Sequence, residues 1–142
     1  MNKSLDIDIA WGGYYSSLAE DSNEINIFRL LDFNQDAYHV ALYKEKFESI
    51  PTENEVRSLS PFIGHVPIDV RGLLNRKNVK LIGSSPLIKE DLEGYIYYLE
   101  EFGVSDQEAE DLVTSVISFS KQKPLPLRLL IVDGEFEIQE RE

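Results

Sequence analysis

The sequence predicts an α+β domain: an antiparallel or mixed sheet, two to three helices packed on one face, and a C-terminal β-hairpin. Three observations predict it. The N-terminal run alternates apolar and polar residues, the period of a half-buried strand. The second half carries apolar positions at helical spacing behind a capping signal. Near the C-terminus Asp133-Gly134, a type I′ hairpin signal, stands between two β-prone runs. The chain of 142 residues suits one domain, 1–142, with no repeat or linker dividing it.

In residues 4–11, SLDIDIAW, Leu5, Ile7 and Ile9 fall on one face and Asp6 and Asp8 on the other. Gly12-Gly13 breaks that strand. EINIFRLLDF, 24–33, is a second strand, and AYHVALYKEKF, 37–47, pairs back on it through a turn at NQDA. After Pro51, Thr52 and Glu55 form a capping box that opens a short helix, and Pro61 ends it. FIGHVPIDV, 62–70, is extended, RGLLNRKN is a turn or short helix, and VKLIG, 79–83, is the next strand. In KEDLEGYIYYLEEFG, 89–103, Leu92, Tyr95, Ile96, Leu99 and Phe102 make one apolar face, and Gly103 suits the C′ position. Ser105 and Glu108 cap a further helix whose stripe is Ala109, Leu112, Val113, Val116 and Ile117. KQKPLP closes it, and LRLLIVDGEFEIQE forms the hairpin.

The composition, 42% hydrophobic and 11% aromatic, is that of a globular protein. The chain has no cysteine, which removes disulfides and thiolate metal sites and favours a reducing compartment. MNKSLDIDIA has no apolar stretch after Lys3, so no secretory signal is expected. No apolar run approaches the ~20 residues of a membrane span, so a cytoplasmic protein without membrane contact is expected. The net charge is −12, which disfavours nucleic acid as a direct partner. An acidic field suits a basic protein partner, although solubility alone also accounts for it.

The run VKLIGSSPL, 79–87, poses the question of a phosphate loop. It lacks the second glycine and the lysine, and Pro86 has no N–H to offer, so it reads as a strand with an exit turn. The two histidines, His39 and His65, lack zinc-ligand spacing, and neither a metal nor a cofactor is expected. His65 and Asp69 with Ser84 or Ser85 could compose a hydrolytic site, but no nucleophile-elbow motif accompanies them. Asp6 and Asp8 read as the solvent face of a strand. Trp11, Tyr14 and Tyr15 read as core aromatics at a strand end.

Charge placement is the most distinctive feature. Glu90 to Ser120 holds nine acidic residues and no Lys or Arg. On helix 90–103, Glu93, Tyr97, Glu100 and Glu101 lie opposite the apolar stripe, and Asp106 and Glu110 extend the acidic run into the next helix. Carboxylates around a tyrosine suit docking of a basic protein, and these six residues are the candidate partner-binding set. A solvated helix face is the competing reading.

Residues 38–88 combine a strand, a proline-led helix start from Pro51 to Val56, an extended segment from Phe62 to Val70, and a strand whose end, Lys80 to Leu87, reads KLIGSSPL. This order resembles a bacterial immunity-protein family, the twenty-sixth in the usual numbering of toxin-immunity families. Lys80 stands near the place where that family often carries tryptophan, and residues 89–142 lie outside the resemblance. The resemblance implies a small cytoplasmic inhibitor without catalysis, which binds and blocks a secreted toxin domain. A nuclease toxin, with its basic site, would fit the acidic charge. The alternatives are an adaptor domain with a non-toxin partner and a small hydrolase using His65 and carboxylates. The oligomeric state stays open.

Overall fold

The computed structural model describes residues 4–19, 21–34, 37–69, 72–73, 76–121, 127–132 and 135–140. In chain order the elements are β1 (Ser4–Ile9), β2 (Gly13–Ala19), β3 (Ile25–Asn34), β4 (Ala37–Phe47), α1 (Glu53–Arg57), β5 (Ile63–Asp69) and β6 (Arg76–Ser84). A 3-10 turn (Lys89–Leu92), α2 (Glu93–Glu101), α3 (Asp106–Lys121), β7 (Leu127–Val132) and β8 (Glu135–Glu140) follow. The fold is α+β, with the strands divided between two sheets. One has five strands in the order β5-β4-β3-β2-β6, the other three in the order β1-β7-β8. Every strand pair is antiparallel.

Among the described residues three hydrophobic clusters hold these layers together. Ile7 and Ile9 of β1 and Leu129 and Ile131 of β7 pack with Tyr15, Phe28, Leu30, Tyr38 and Val40, so the small sheet covers one face of the large one. On the other face Leu31 and Ala41 meet Leu92, Tyr95 and Leu99 of the first helical segment and Ala109, Val113 and Val116 of α3. Val56 of α1 joins Tyr14, Ile25, Ile27 and Tyr43 on that same face. The helices therefore lie on one side of the five-stranded sheet, as the sequence predicts.

Local signals account for the helix ends. Thr52 and Glu55 make the full capping box, each side chain accepting from the other's backbone N–H. The Glu108 amide donates to Ser105 Oγ at 3.2 Å. Helix α2 ends in a Schellman motif: Gly103 N–H donates to the Glu100 carbonyl, Val104 N–H donates to the Leu99 carbonyl, and Gly103 has φ of 81°. That early end leaves Phe102 outside the apolar stripe expected of it. Phe102 is 69% exposed, and its ring packs on Tyr98 at 4.6 Å between centroids.

The sequence reading misses one strand. GYYSSLA forms β2, an inner strand whose first five residues are all buried. With both faces covered, it shows no alternation. The expected first strand accordingly stops at Ile9, and Gly12, with φ of 77°, turns the chain into β2. β7 and β8 pair out to Val132 and Glu135, the expected hairpin, while Asp133-Gly134 lies outside the described residues.

Candidate functional site

Helices α2 and α3 pack with an open groove of about 340 Å³ between them. Ile96, Ala109, Val113 and Ile117 line it, and Glu100, Asp106 and Glu110 stand around them. Three of the six sequence-predicted residues thus meet at one groove. Tyr97 and Glu101 are exposed on α2, Tyr97 at 70%. Glu93 goes elsewhere. It lines a cleft of about 330 Å³ with Arg29, Arg57, Tyr14 and Asp91, between the start of α2 and the sheet. Among the described residues Lys89 is the one cation lining the groove.

The carboxylates on these two helices differ in their electrostatic setting. Asp106 and Glu108 stand in the first turn of α3, where the helix macrodipole favours negative charge. Glu100 and Glu101 occupy the last turn of α2, which contains no basic residue. There the macrodipole is already negative, and each exposed carboxylate costs roughly 0.3–1 kcal/mol. Their position is opposed to helix stability, whereas a cation brought from outside would relieve it.

The end of β6 and the residues that follow it, Gly83-Ser84-Ser85-Pro86, do serve a charge, with the polarity opposite to that of a phosphate loop. Buried Arg29 donates from Nη2 to the Ser85 carbonyl at 3.0 Å and to Ser85 Oγ at 2.8 Å, and from Nε to the Gly12 carbonyl at 3.2 Å. Its guanidinium also lies 4.7 Å from the Tyr14 ring centroid and its Nη1 3.6 Å from Asp91 Oδ2. Carbonyl oxygens converge on a cation here; a phosphate loop instead turns N–H groups toward an anion. Arg57 of α1 pairs with Glu53 at 2.6 Å and donates to the Ser84 carbonyl at 2.9 Å. The motif pieces of residues 51–56 and 80–87 are therefore packed against one another. They build scaffold.

The histidines, far apart in sequence, are partners in space. His39 Nδ1 and His65 Nε2 lie 2.9 Å apart, and the rings are within 13° of parallel. Tyr95 and Tyr98 of α2 pack on both rings. Tyr95 OH donates to Asp32 Oδ2 at 2.6 Å, and Trp11 Nε1 and the Phe33 N–H donate to Asp32 Oδ1. Burial, and then the neighbouring His39 charge, lower the His65 pKa from its ordinary 6.5 to about 4. Ser85 Oγ is engaged by Arg29 at 2.8 Å and by Tyr14 at 3.3 Å, whereas the His65 ring partners His39. Among the described residues no group of three or more His, Asp or Glu side chains is placed to hold a metal. Among them, too, no helix is long and apolar enough to cross a membrane.

Sequence reasoning misses the His39–His65 contact because it depends on strand register. The β4–β5 pairing shifts between Val40 and Leu42, where Gly64 and His65 form the extra length. Two histidines on neighbouring strands were the only signal. Scans of protein-family models and searches of curated proteins and of solved structures find no match to this chain.

Proposed function

We propose that this chain is an inhibitory binding protein of the immunity type, which docks the acidic layer of α2 and α3 on a basic toxin domain. One observation carries the reading: Glu100 and Glu101 sit where the α2 macrodipole disfavours them, beside a groove with apolar residues between carboxylates. Carboxylates kept at a cost to the helix are better explained by a partner's cations than by solubility, for which any surface position would serve. Exposed Tyr97 and Phe102 on the same helical segment supply rigid apolar contact area. The resemblance over residues 38–88 supports the toxin as the partner's class, and a nuclease would supply a basic surface.

Mechanistically, inhibition needs only occlusion. The acidic field accelerates encounter, and the apolar contacts hold the complex. The test is low-salt capture from the native host with bound proteins identified by mass spectrometry. The expected result is a basic domain from a secreted toxin, retained by the wild-type chain and lost with Glu100→Lys and Glu110→Lys. Retention of a housekeeping complex instead, unaffected by the charge reversals, would overturn the reading in favour of an adaptor.

A further inference from the structure

On the sheet face opposite the helices lies a second, larger concavity of about 510 Å³. Its apolar lining includes Phe28, Leu42, Ile68 and Leu73, with Phe62 at its margin 57% exposed. Among the described residues lining it there is no carboxylate, and there are three cations: Lys44, Lys46 and Arg76. In a chain of net charge −12 that is unusual. Four other concavities each carry acidic residues, among them Glu100 and Glu110, Glu90 and Asp91, Asp6 and Asp8, and Glu135 and Glu137.

Arg76 marks the chemistry most clearly. Its Nε donates to Ser17 Oγ at 3.0 Å and its Nη2 to Asn26 Oδ1 at 2.8 Å. Both partners are neutral oxygens. They fix the planar guanidinium without cancelling its charge. Partial burial lowers the Arg76 pKa from its ordinary value. Lys46 is paired with Glu24 at 3.2 Å, whereas Lys44 makes no ion pair among the described residues.

Irregularities in the sheet place these groups. Between Asn26–Lys46 and Phe28–Leu42, three residues of β4 face one of β3, and Lys44 is the middle one. In β6, Asn78 and Val79 oppose Ser17 alone, and Asn78 takes the left-handed φ of 54°. Bulges bend a strand and re-aim its side chains. Here one lies on each side of the concavity.

We infer that this concavity binds a small amphipathic carboxylate, its tail on the Phe28, Leu42 and Leu73 surface and its carboxylate against Arg76 and Lys44. The volume lies in the range of ordinary small-molecule sites, and an apolar surface with a few fixed polar groups is their usual make-up. The site is separate from the acidic helical layer, so it stands or falls independently of the inhibitor reading.

The test is a backbone-amide NMR titration of the full chain with decanoate, below its micelle concentration, against decanol and decyltrimethylammonium. Decanoate should saturate one site, with shifts at Phe28, Leu42 and Leu73. Decanol and the cationic analogue should bind at least about tenfold more weakly, because the charge-assisted hydrogen bonds are lost. Arg76→Gln should cost about tenfold in decanoate affinity. Since Arg76 also ties Ser17 to Asn26, Lys44→Glu provides a second variant at an exposed site, expected to weaken decanoate with the melting temperature unchanged. Absence of saturation, equal binding of decanol, unaltered affinity in Lys44→Glu, or shifts centred on α2 and α3 would each overturn the assignment.

Discussion

His39 Nδ1 and His65 Nε2 meet at 2.9 Å, joining β4 to β5 directly beneath α2. One nitrogen must donate and the other accept, so the contact requires a proton on one side only. Gly94 makes the approach of α2 possible, since a Cβ there would stand 2.9 Å from His65 Cβ. The pair therefore lies at the seam between the sheet and the acidic layer.

The sign of the pH response follows. The folded chain holds His65 neutral down to about pH 4, while the unfolded chain protonates near 6.5. Between those values the unfolded state binds more protons, so stability rises with pH there. The His65 contribution is full above pH 6.5, declines as pH falls, and is gone below about 4. Imidazole NMR titration should give a His65 midpoint near 4, and the melting temperature should drop across that window. An ordinary midpoint near 6.5 would contradict the packing described.

Arg29 should be indispensable to the scaffold. Arg29→Ala takes the Arg29 donor from the Ser85 carbonyl, leaves the Gly12 carbonyl only the Ser85 N–H, and opens a buried space. The loss should be about 3 kcal/mol or more by urea denaturation. Arg29→Lys should recover little, because one ammonium cannot reproduce a planar fork bridging two chain segments.

Two glycines should respond differently to alanine. At Gly12 φ is 77° and a Cβ would overlap the Ser85 carbonyl oxygen, so substitution must displace backbone. At Gly103 φ is 81° but the space is open. Gly103→Ala should cost about 1 kcal/mol, the left-handed penalty alone, and Gly12→Ala several times that in the same denaturation experiment.

Tyr38 should tolerate loss of its hydroxyl. The side chain is fully buried, and its OH has no hydrogen-bond partner among the described residues. Tyr38→Phe removes an unsatisfied group from the core and should stabilise the fold by about 1 kcal/mol. A lowered urea midpoint would contradict that reading.

Much of this fold is legible in the sequence where one face of an element is wet. β1 alternates because Asp6 and Asp8 face solvent, and β4 is bounded at 37–47 in both readings. The Thr52–Glu55 box and Gly103 are local signals with local causes, and both appear where expected. β2 is illegible because both its faces are covered, which leaves Gly12-Gly13 looking like a break between elements. Pairing of β1 with β7 rests on contacts across most of the chain and has no local signature. The candidate set was legible as charge but not as geometry. Glu100, Asp106 and Glu110 converge because α2 and α3 pack together, whereas Glu93 turns toward Arg29 and Arg57. The cationic concavity depends on strand bulges, which nothing in the spacing of Lys44, Lys46 and Arg76 reveals.

Glu100 and Glu101 offer a way to separate a binding role from mere solubility. Reversal to lysine places cations at the C-terminal end of α2, where the macrodipole welcomes them. Each change should stabilise the isolated chain by roughly 0.3–1 kcal/mol while weakening the complex. A thermal melt of the free variant reads the first effect.

The most direct measurement of the central claim is the stopped-flow association rate between this chain and the captured basic domain, wild type against Glu100→Lys with Glu110→Lys. At low salt the reversed chain should associate about tenfold or more slowly, and the gap should close at high salt as the charges are screened. Equal rates at both salt concentrations would place the interface away from α2 and α3 and contradict the account.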